Sequence, residues 1–164
     1  MKFKSTVKSE DSLKAFMNKV TKLTEYKAEA GFYKEQYHSE SKMSMANLAT
    51  ILNYGVKNGE KGWKIPPRPF FYKAWIASFY LTFDDSFKLV KDYLYGEVKI
   101  RTAFKKLSDK LANVISTTMV SGDYVDNAEV TIRLKGFNYP LVETGKLASS
   151  VKSKVKPKTK GKAK

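Results

Sequence analysis

Apolar residues recur every three or four positions near the start of the chain, which is the spacing of an amphipathic helix. We predict this helix over Ser9–Thr24, with Ser9 as its N-cap. Glu10 and Asp11 fall in the first turn, where the helix dipole favours anions. The residues that share its apolar face are Leu13, Phe16, Met17, Val20 and Leu23.

The same periodicity predicts a second helix over Ser44–Tyr54, with Ser44 as its N-cap and Gly55 in the left-handed position that ends it. A late helix is predicted over Arg101–Thr117. Between them, proline suits the first turn of a helix, so a third helix is predicted to begin after Pro69.

The third helix contains the most apolar window of the chain, Pro69–Phe83, which Lys73 interrupts. At about 15 residues this window is shorter than the roughly 20 that cross a bilayer. We therefore expect a buried helix and no membrane partner. Asp84–Tyr95 either continues this helix or forms a separate one, and Gly96 ends it.

Two other stretches alternate apolar and polar residues, which is typical of strands with one solvated face. These predicted strands are Tyr26–Tyr33 and Glu129–Leu134. Thr144–Val151 fits either a short helical turn or a strand, and the glycines of Gly55–Lys64 predict a mobile loop. The predicted fold is α+β: a small, mostly antiparallel sheet packed against several helices in one domain, residues 1–151.

Charge adds a second feature at the C-terminal end. The 164 residues carry a formal net charge of +15, and the last thirteen include seven lysines and no acid, which leaves +8 on the rest. We expect residues 152–164 to be disordered, because they have too little apolar surface to bury. A basic chain favours anionic partners, although solubility alone also explains the excess. The tail lysines are Lys152, Lys154, Lys156, Lys158, Lys160, Lys162 and Lys164.

The sequence offers little for catalysis. It has no cysteine, and its one histidine, His38, lies in a polar loop without a second histidine to pair with. No carboxylates cluster at metal-ligand spacing, and the glycine-rich loop lacks the Gly-Lys-Ser/Thr ending of a phosphate-binding loop. The N-terminus lacks the apolar run of a signal peptide. We expect no catalytic residues, no cofactor and no metal.

Two proline-containing segments are the most distinctive features of the chain. Ile65–Phe71 reads Ile-Pro-Pro-Arg-Pro-Phe-Phe, and Asn138–Val151 contains Tyr-Pro-Leu-Val-Glu-Thr-Gly-Lys-Leu-Ala-Ser-Ser-Val. Proline fixes φ, so both segments are predicted to be stiff connectors. On physical grounds alone, each is either a plain linker or a shaped surface for assembly.

The order of these motifs resembles that of the tail-completion and neck proteins of long-tailed bacteriophages. In that family a Tyr-Gly pair precedes a Pro-Pro-Arg-Pro-Phe run, and a Pro-Leu-x-x-Thr-Gly-x-Leu-x-x-Ser run closes the domain. The similarity covers roughly Leu48–Val151 and leaves out the lysine tail. The matching positions are Tyr54, Gly55, Pro66, Pro67, Arg68, Pro69, Phe70, Pro140, Leu141, Thr144, Gly145, Leu147 and Ser150.

The resemblance implies a structural, non-enzymatic virion protein that assembles in the host bacterial cytoplasm. It would form a homo-oligomeric, hexameric ring at the head–tail junction, around the DNA passage, between neck or connector proteins and tail tube or tail terminator proteins. The residues expected to contact neighbouring subunits or partners are Tyr54, Gly55, Trp63, Pro67, Arg68, Pro69, Phe70, Phe71, Tyr139, Pro140, Leu141, Glu143, Thr144, Gly145 and Leu147.

Two alternatives stay open at this point. The first is a free nucleic-acid-binding protein that uses the lysine tail, which would contact phosphates and not read sequence. The second is an enzyme with a carboxylate-based site that the sequence does not locate.

Overall fold

The computed structural model describes residues 10–33, 35–38, 42–141 and 145–158. The α+β class is confirmed: several helices pack with two small antiparallel sheets. In chain order the elements are α1 (Glu10–Leu23), β1 (Tyr26–Gly31), α2 (Met45–Tyr54), β2 (Val56–Lys57), a 3-10 turn (Gly59–Lys61), β3 (Trp63–Ile65), α3 (Phe70–Tyr95), α4 (Ile100–Ser121), α5 (Glu129–Lys135), α6 (Lys146–Ser149) and β4 (Lys152–Pro157).

α3 and α4 are the two longest helices and pack against each other. Asp84–Tyr95 continues the third helix, so α3 runs unbroken for 26 residues until Gly96, whose φ of 85° allows the chain to leave the helix. Four residues later α4 begins, and such a short connection makes the two helices antiparallel neighbours. Small side chains such as Ala74 of α3 and Ala103 and Ser108 of α4 are among their buried residues.

The β1–β4 sheet covers α4. Its strands pair antiparallel from Tyr26 opposite Pro157 to Gly31 opposite Lys152. The face that meets α4 includes the Tyr26 ring, whose centroid lies 5.9 Å from that of Phe104. On the same face, the Ser153 hydroxyl accepts a hydrogen bond of 3.0 Å from the Lys105 ammonium.

This pairing corrects the prediction for the lysine tail. Disorder was expected from Lys152 onwards, but Lys152–Pro157 form β4, so the ordered part of the chain extends beyond the predicted boundary at residue 151. Ser153 and Val155 alternate with the lysines and are half-buried, so the segment has an inner face that β1 and α4 can pack against. Lys160, Lys162 and Lys164 lie outside the described residues.

Two further expectations are also wrong. Glu129–Leu134 belongs to a helix, α5, and not to a strand; Gly136 ends this helix at a φ of 78°. The expected mobile loop Gly55–Lys64 is a short hairpin in which β2 pairs with β3. The open choice at Thr144–Val151 resolves to a helical turn, α6.

α1 lies within one residue of its predicted bounds at each end, and its expected cap Ser9 lies outside the described residues. None of its residues is buried. Its contacts with α3 include two hydrogen bonds at Lys19: the Lys19 ammonium donates to the carbonyl of Leu94 at 2.9 Å, and the Tyr93 hydroxyl donates to the carbonyl of Lys19 at 3.2 Å. Among the described residues no helix is long and apolar enough to cross a membrane.

Candidate functional site

Gly55 brings the end of α2 against the proline-rich segment. Its backbone lies at φ 73° and ψ 177°, a conformation that is essentially restricted to glycine. A Cβ at this position would lie 2.6 Å from the carbonyl oxygen of Ile65 and 2.8 Å from the nitrogen of Pro67. The amide of Arg68 donates to the carbonyl of Leu52 at 3.0 Å and fastens the segment to α2. The Tyr-Gly pair and the proline run are therefore one packed unit.

Phe70 joins this unit to the second distinctive segment. Its side chain is fully buried, and its core cluster includes Leu141, Leu147 and Ala148. The Phe71 ring lies beside it, with 4.7 Å between centroids. Burying a Phe side chain contributes about 1.5–3 kcal/mol. The two segments are separated by about seventy residues in sequence and share one core.

Arg68 makes a second connection between the segments. Its side chain is buried. The Nε atom donates to the carbonyl of Val125 at 3.1 Å. The Nη2 atom donates to the carbonyl of Asp126 and to Oδ1 of Asn127, each at 3.2 Å. The backbone N–H of Asn127 donates to Oδ1 of Asn138, the first residue of the second segment, at 3.1 Å. Burial lowers the pKa of Arg68, and the nearby Asp126 opposes that shift. Arg68 thus holds the loop between α4 and α5 in place.

A cleft of about 370 Å³ lies where the two segments meet. Its lining includes Ile65, Pro66 and Arg68 of the first segment and Leu141 and Leu147 of the second. His38 and three lysines also line it, and none of its lining residues in the described part of the chain is a carboxylate. Within the described ranges there is no group of three or more side chains that could hold a metal ion. The cleft suits an apolar or anionic group.

The predicted interface residues divide into two groups. Arg68, Phe70, Leu141 and Leu147 are buried core residues, and of these Arg68, Leu141 and Leu147 reach the surface only as part of the cleft lining. Tyr54, Trp63, Pro69 and Tyr139 are exposed, while Gly55, Pro67, Phe71, Pro140 and Gly145 are half-buried. Glu143 and Thr144 lie outside the described residues. Of the predicted interface residues that the structure describes, the exposed and half-buried ones can touch another molecule directly.

Trp63 is an exposed aromatic residue beside the packed unit. It is the first residue of β3. The ammonium of Lys57, on the paired strand, lies 5.6 Å from the centroid of the Trp63 ring. Its Cζ3 atom would lie 3.0 Å from a Cβ on Gly55. The ring therefore marks the rim of the unit that Gly55 and the prolines form.

The outer face of the β1–β4 sheet carries the ordered lysines. Opposite residues of paired strands share a face, so Lys27 and Glu29 of β1 lie with Lys152, Lys154 and Lys156 of β4, a local charge of +3. Hydrogen bonds from Lys156 and Lys27 lower the pKa of Glu29. The ammonium of Lys154 lies 3.5 Å from the centroid of the Tyr33 ring. This face is a fixed patch of positive charge.

The structure also shows a surface that the sequence patterns did not predict. The apolar window of α3 was expected to be buried, but it exposes a row of six aromatic residues on the side away from the core, each of them 62–78% exposed. We call this row the aromatic stripe: Tyr72, Trp75, Phe79, Tyr80, Phe83 and Phe87. Its i, i+4 spacing, as in Phe79 and Phe83, was visible in the sequence, whereas the direction it faces was not.

Comparison of the chain with protein-family models, with curated proteins and with solved structures finds no match.

Proposed function

We propose that this chain is a structural protein of the virion, a subunit of a hexameric ring that joins or completes the tail at the head–tail junction of a long-tailed bacteriophage. In this role the protein performs no chemistry. It supplies a rigid body of fixed shape around the DNA passage, and neighbouring neck and tail proteins dock on it.

The observation that carries the proposal is the convergence of the two distinctive segments. The motifs that resemble those of phage neck proteins are far apart in sequence, yet Phe70 packs with Leu141 and Leu147 in one core. Arg68 reaches the start of the second segment through Asn127. A pair of motifs that is required together for one rigid unit supports the resemblance better than either motif alone. The rim of the unit leaves Tyr54, Trp63 and Tyr139 exposed for a partner.

Deletion of the gene in the virus or prophage that encodes it tests the proposal. We expect lysates in which filled heads and free tails accumulate unjoined, as seen by electron microscopy, and we expect addition of the purified full-length chain to restore infectious particles. A deletion that leaves joined, infectious particles would refute the proposal. A Phe70→Ala chain, which disrupts the core, provides a complementation control that should fail.

A second candidate function, DNA binding, is favoured by the lysine face of the β1–β4 sheet. The four lysines on this face are fixed by strand pairing, so they can follow a phosphate backbone without first becoming ordered. If all four meet duplex phosphates, log K should fall with log salt at a slope of about −3.6. Contact by all seven tail lysines would raise the slope to about −6.

Fluorescence anisotropy with a duplex across a salt series distinguishes these cases. The triple change of Lys152, Lys154 and Lys156 to Gln should abolish binding if the sheet face carries it. The matched control replaces the exposed Lys88, Lys91 and Lys106 by Gln, which removes the same charge elsewhere. Equal losses in both variants would indicate a response to net charge alone, and no binding at low salt would remove this candidate.

A further inference from the structure

Two helices of this chain expose large apolar residues. Between Tyr72 and Phe87, the buried residues of α3 are the small Ala74 and Thr82, and the aromatic stripe faces outwards. α1 contacts α3 at Lys19 and leaves Val20 and Leu23 of its apolar face half-buried, while Leu13, Phe16 and Met17 of the same face are 43–55% exposed. Exposed apolar surface of this extent marks an interaction site in a protein that is otherwise strongly charged.

The aromatic stripe has the form of a helix-packing surface. Tyr72, Ile76, Phe79 and Phe83 follow the alternating four- and three-residue spacing of a helix–helix seam, and Val90 continues it one seam position beyond Ser86. Each of these residues except Ser86 is exposed, and none carries a charge. The seam therefore suits the apolar face of another helix.

A groove runs along one edge of the stripe and explains how side chains can enter it. It holds about 230 Å³ and is lined by Trp75, Phe79 and Phe83 together with Ser78, Thr82 and Ser86. The three hydroxyls donate to carbonyls of their own helix at 2.6–2.8 Å. Their polar atoms are already paired, so an apolar side chain can fill the groove without leaving a donor unsatisfied.

We propose that the aromatic stripe of one copy binds the apolar face of α1 from a second copy. α1 has 14 residues and is about 21 Å long, while the stripe from Tyr72 to Phe87 spans about 23 Å. Leu13, Phe16 and Met17 supply the knobs, and methionine adapts well to an irregular groove. Only the closure of this contact into a ring rests on the proposed function; the contact itself does not.

The aromatic stripe alone offers as much area as one partner of a stable contact contributes. Aromatic side chains bury about 150–250 Å² each, so six that are about two-thirds exposed offer roughly 800 Å². That is about the area each partner contributes to a standard protein–protein interface. A charge-free seam also lets two copies of a chain with a net charge of +15 meet without burying like charges.

Pairing α1 with α3 is favoured over pairing α3 with α3. A symmetric α3–α3 contact would cover the stripe and leave the apolar face of α1 in water. The α1–α3 contact covers both surfaces, and because it joins two different patches it is head-to-tail, the arrangement that closes into a ring.

Native mass spectrometry of the full-length chain and two variants tests this contact. One variant carries Phe16→Glu and Met17→Glu on α1, and the other carries Phe79→Glu and Phe83→Glu on α3. An unpaired glutamate within the contact would disrupt it. All four side chains are 43–64% exposed, so we expect circular dichroism and urea unfolding to show both variants folded. The control, Leu134→Glu, changes an exposed leucine on α5 and should assemble like the wild type.

The expected result is an oligomer for the wild type, the mass of one chain for each variant alone, and the mass of two chains for an equimolar mixture. The mixture forms one contact only, between the intact stripe of the first variant and the intact α1 of the second. Self-association of the α1 variant would overturn the proposal in favour of α3–α3 pairing. A monomeric wild type would overturn the proposal, since the stripe would then be covered by a different protein or by the chain's own α1. An oligomer that both variants keep would overturn this contact while leaving the proposed ring intact.

Discussion

Replacing Gly55 by alanine should destabilise the chain more than the same change at any open glycine. The added Cβ would lie 2.6 Å from the carbonyl oxygen of Ile65 and 2.8 Å from the nitrogen of Pro67. Both are backbone atoms, which cannot rotate away as a side chain can. The proline segment would have to separate from α2, to which the Arg68 amide bonds.

The cost has two parts that a control can separate. Holding a residue with a Cβ in this backbone region costs about 1–3 kcal/mol, and forcing atoms into a filled space typically costs about 1–3 kcal/mol more. Gly136→Ala measures the cost of a positive φ without the close approach, because Gly136 lies in the left-handed helical region at φ 78° and ψ 1° and has no atom within 4 Å of its added Cβ. We expect a loss of about 4 kcal/mol for Gly55→Ala, the middle of the summed range. For Gly136→Ala we expect a loss of about 1–2 kcal/mol.

Urea unfolding of both variants measures the difference, and the thermal midpoint should fall by roughly 2–4 °C for each kcal/mol lost. In a Trp75→Phe background, the fluorescence of Trp63 should also change for Gly55→Ala, since the Trp63 ring borders the added methyl group. Losses that agree within about 0.5 kcal/mol, the spread of ordinary surface changes, would refute the close approach.

Three further changes test the packed unit and the sheet. Phe70→Ala should lower the free energy of unfolding by about 3–5 kcal/mol because the ring is fully buried; the exposed neighbour Tyr72→Ala should change it by less than about 0.5 kcal/mol in urea unfolding of the monomer. Arg68→Lys should cost about 1–3 kcal/mol, since an ammonium cannot replace the donors at Nε and Nη2 together, and hydrogen exchange should quicken at the Asn127 amide. The pKa of Glu29 is lowered in the fold, so the ionised side chain stabilises the fold above the usual value of 4.5, and this contribution is lost as pH falls through the lowered pKa. The difference in stability between the wild type and Glu29→Gln should therefore close on acidification. A difference that does not depend on pH would contradict this prediction.

Helical periodicity and cap residues predicted much of the fold. The bounds of α2 followed from Ser44, whose hydroxyl accepts from the Asn47 amide at 3.2 Å, and from Gly55, which ends the helix. These signals are local, so a single sequence contains them in full. β1 was found for a similar reason, because its alternation places one side towards α4.

The two errors in strand assignment have different physical causes. In α5, Val130, Ile132 and Leu134 alternate, but Val130 and Leu134 are also four apart and share a helical face, so a short segment satisfies both periods. Glu129 at its start and Lys135 at its end suit the helix dipole. In β4, the lysine content outweighed an alternation with Ser153 and Val155 that is typical of a strand. A low content of apolar residues predicts disorder only when no partner strand is at hand.

The sequence identified residues of the candidate site but not where the fold places them. The sequence singled out Arg68, Phe70 and Leu147, and the fold makes them core residues that shape a surface without forming it. Periodicity likewise found α1 and α3 but could not tell whether their apolar faces pack within the chain. That choice depends on the small buried residues of α3 and α4, such as Ala74 and Ala103, which let the core close without the aromatic stripe.

Cryo-electron microscopy of particles of the encoding virus would locate the chain. We expect a ring of six copies at the head–tail junction, with the aromatic stripe of each copy against α1 of its neighbour and the packed unit of Gly55 and the prolines facing an adjacent neck or tail protein. A junction reconstructed without this chain would refute the proposed function.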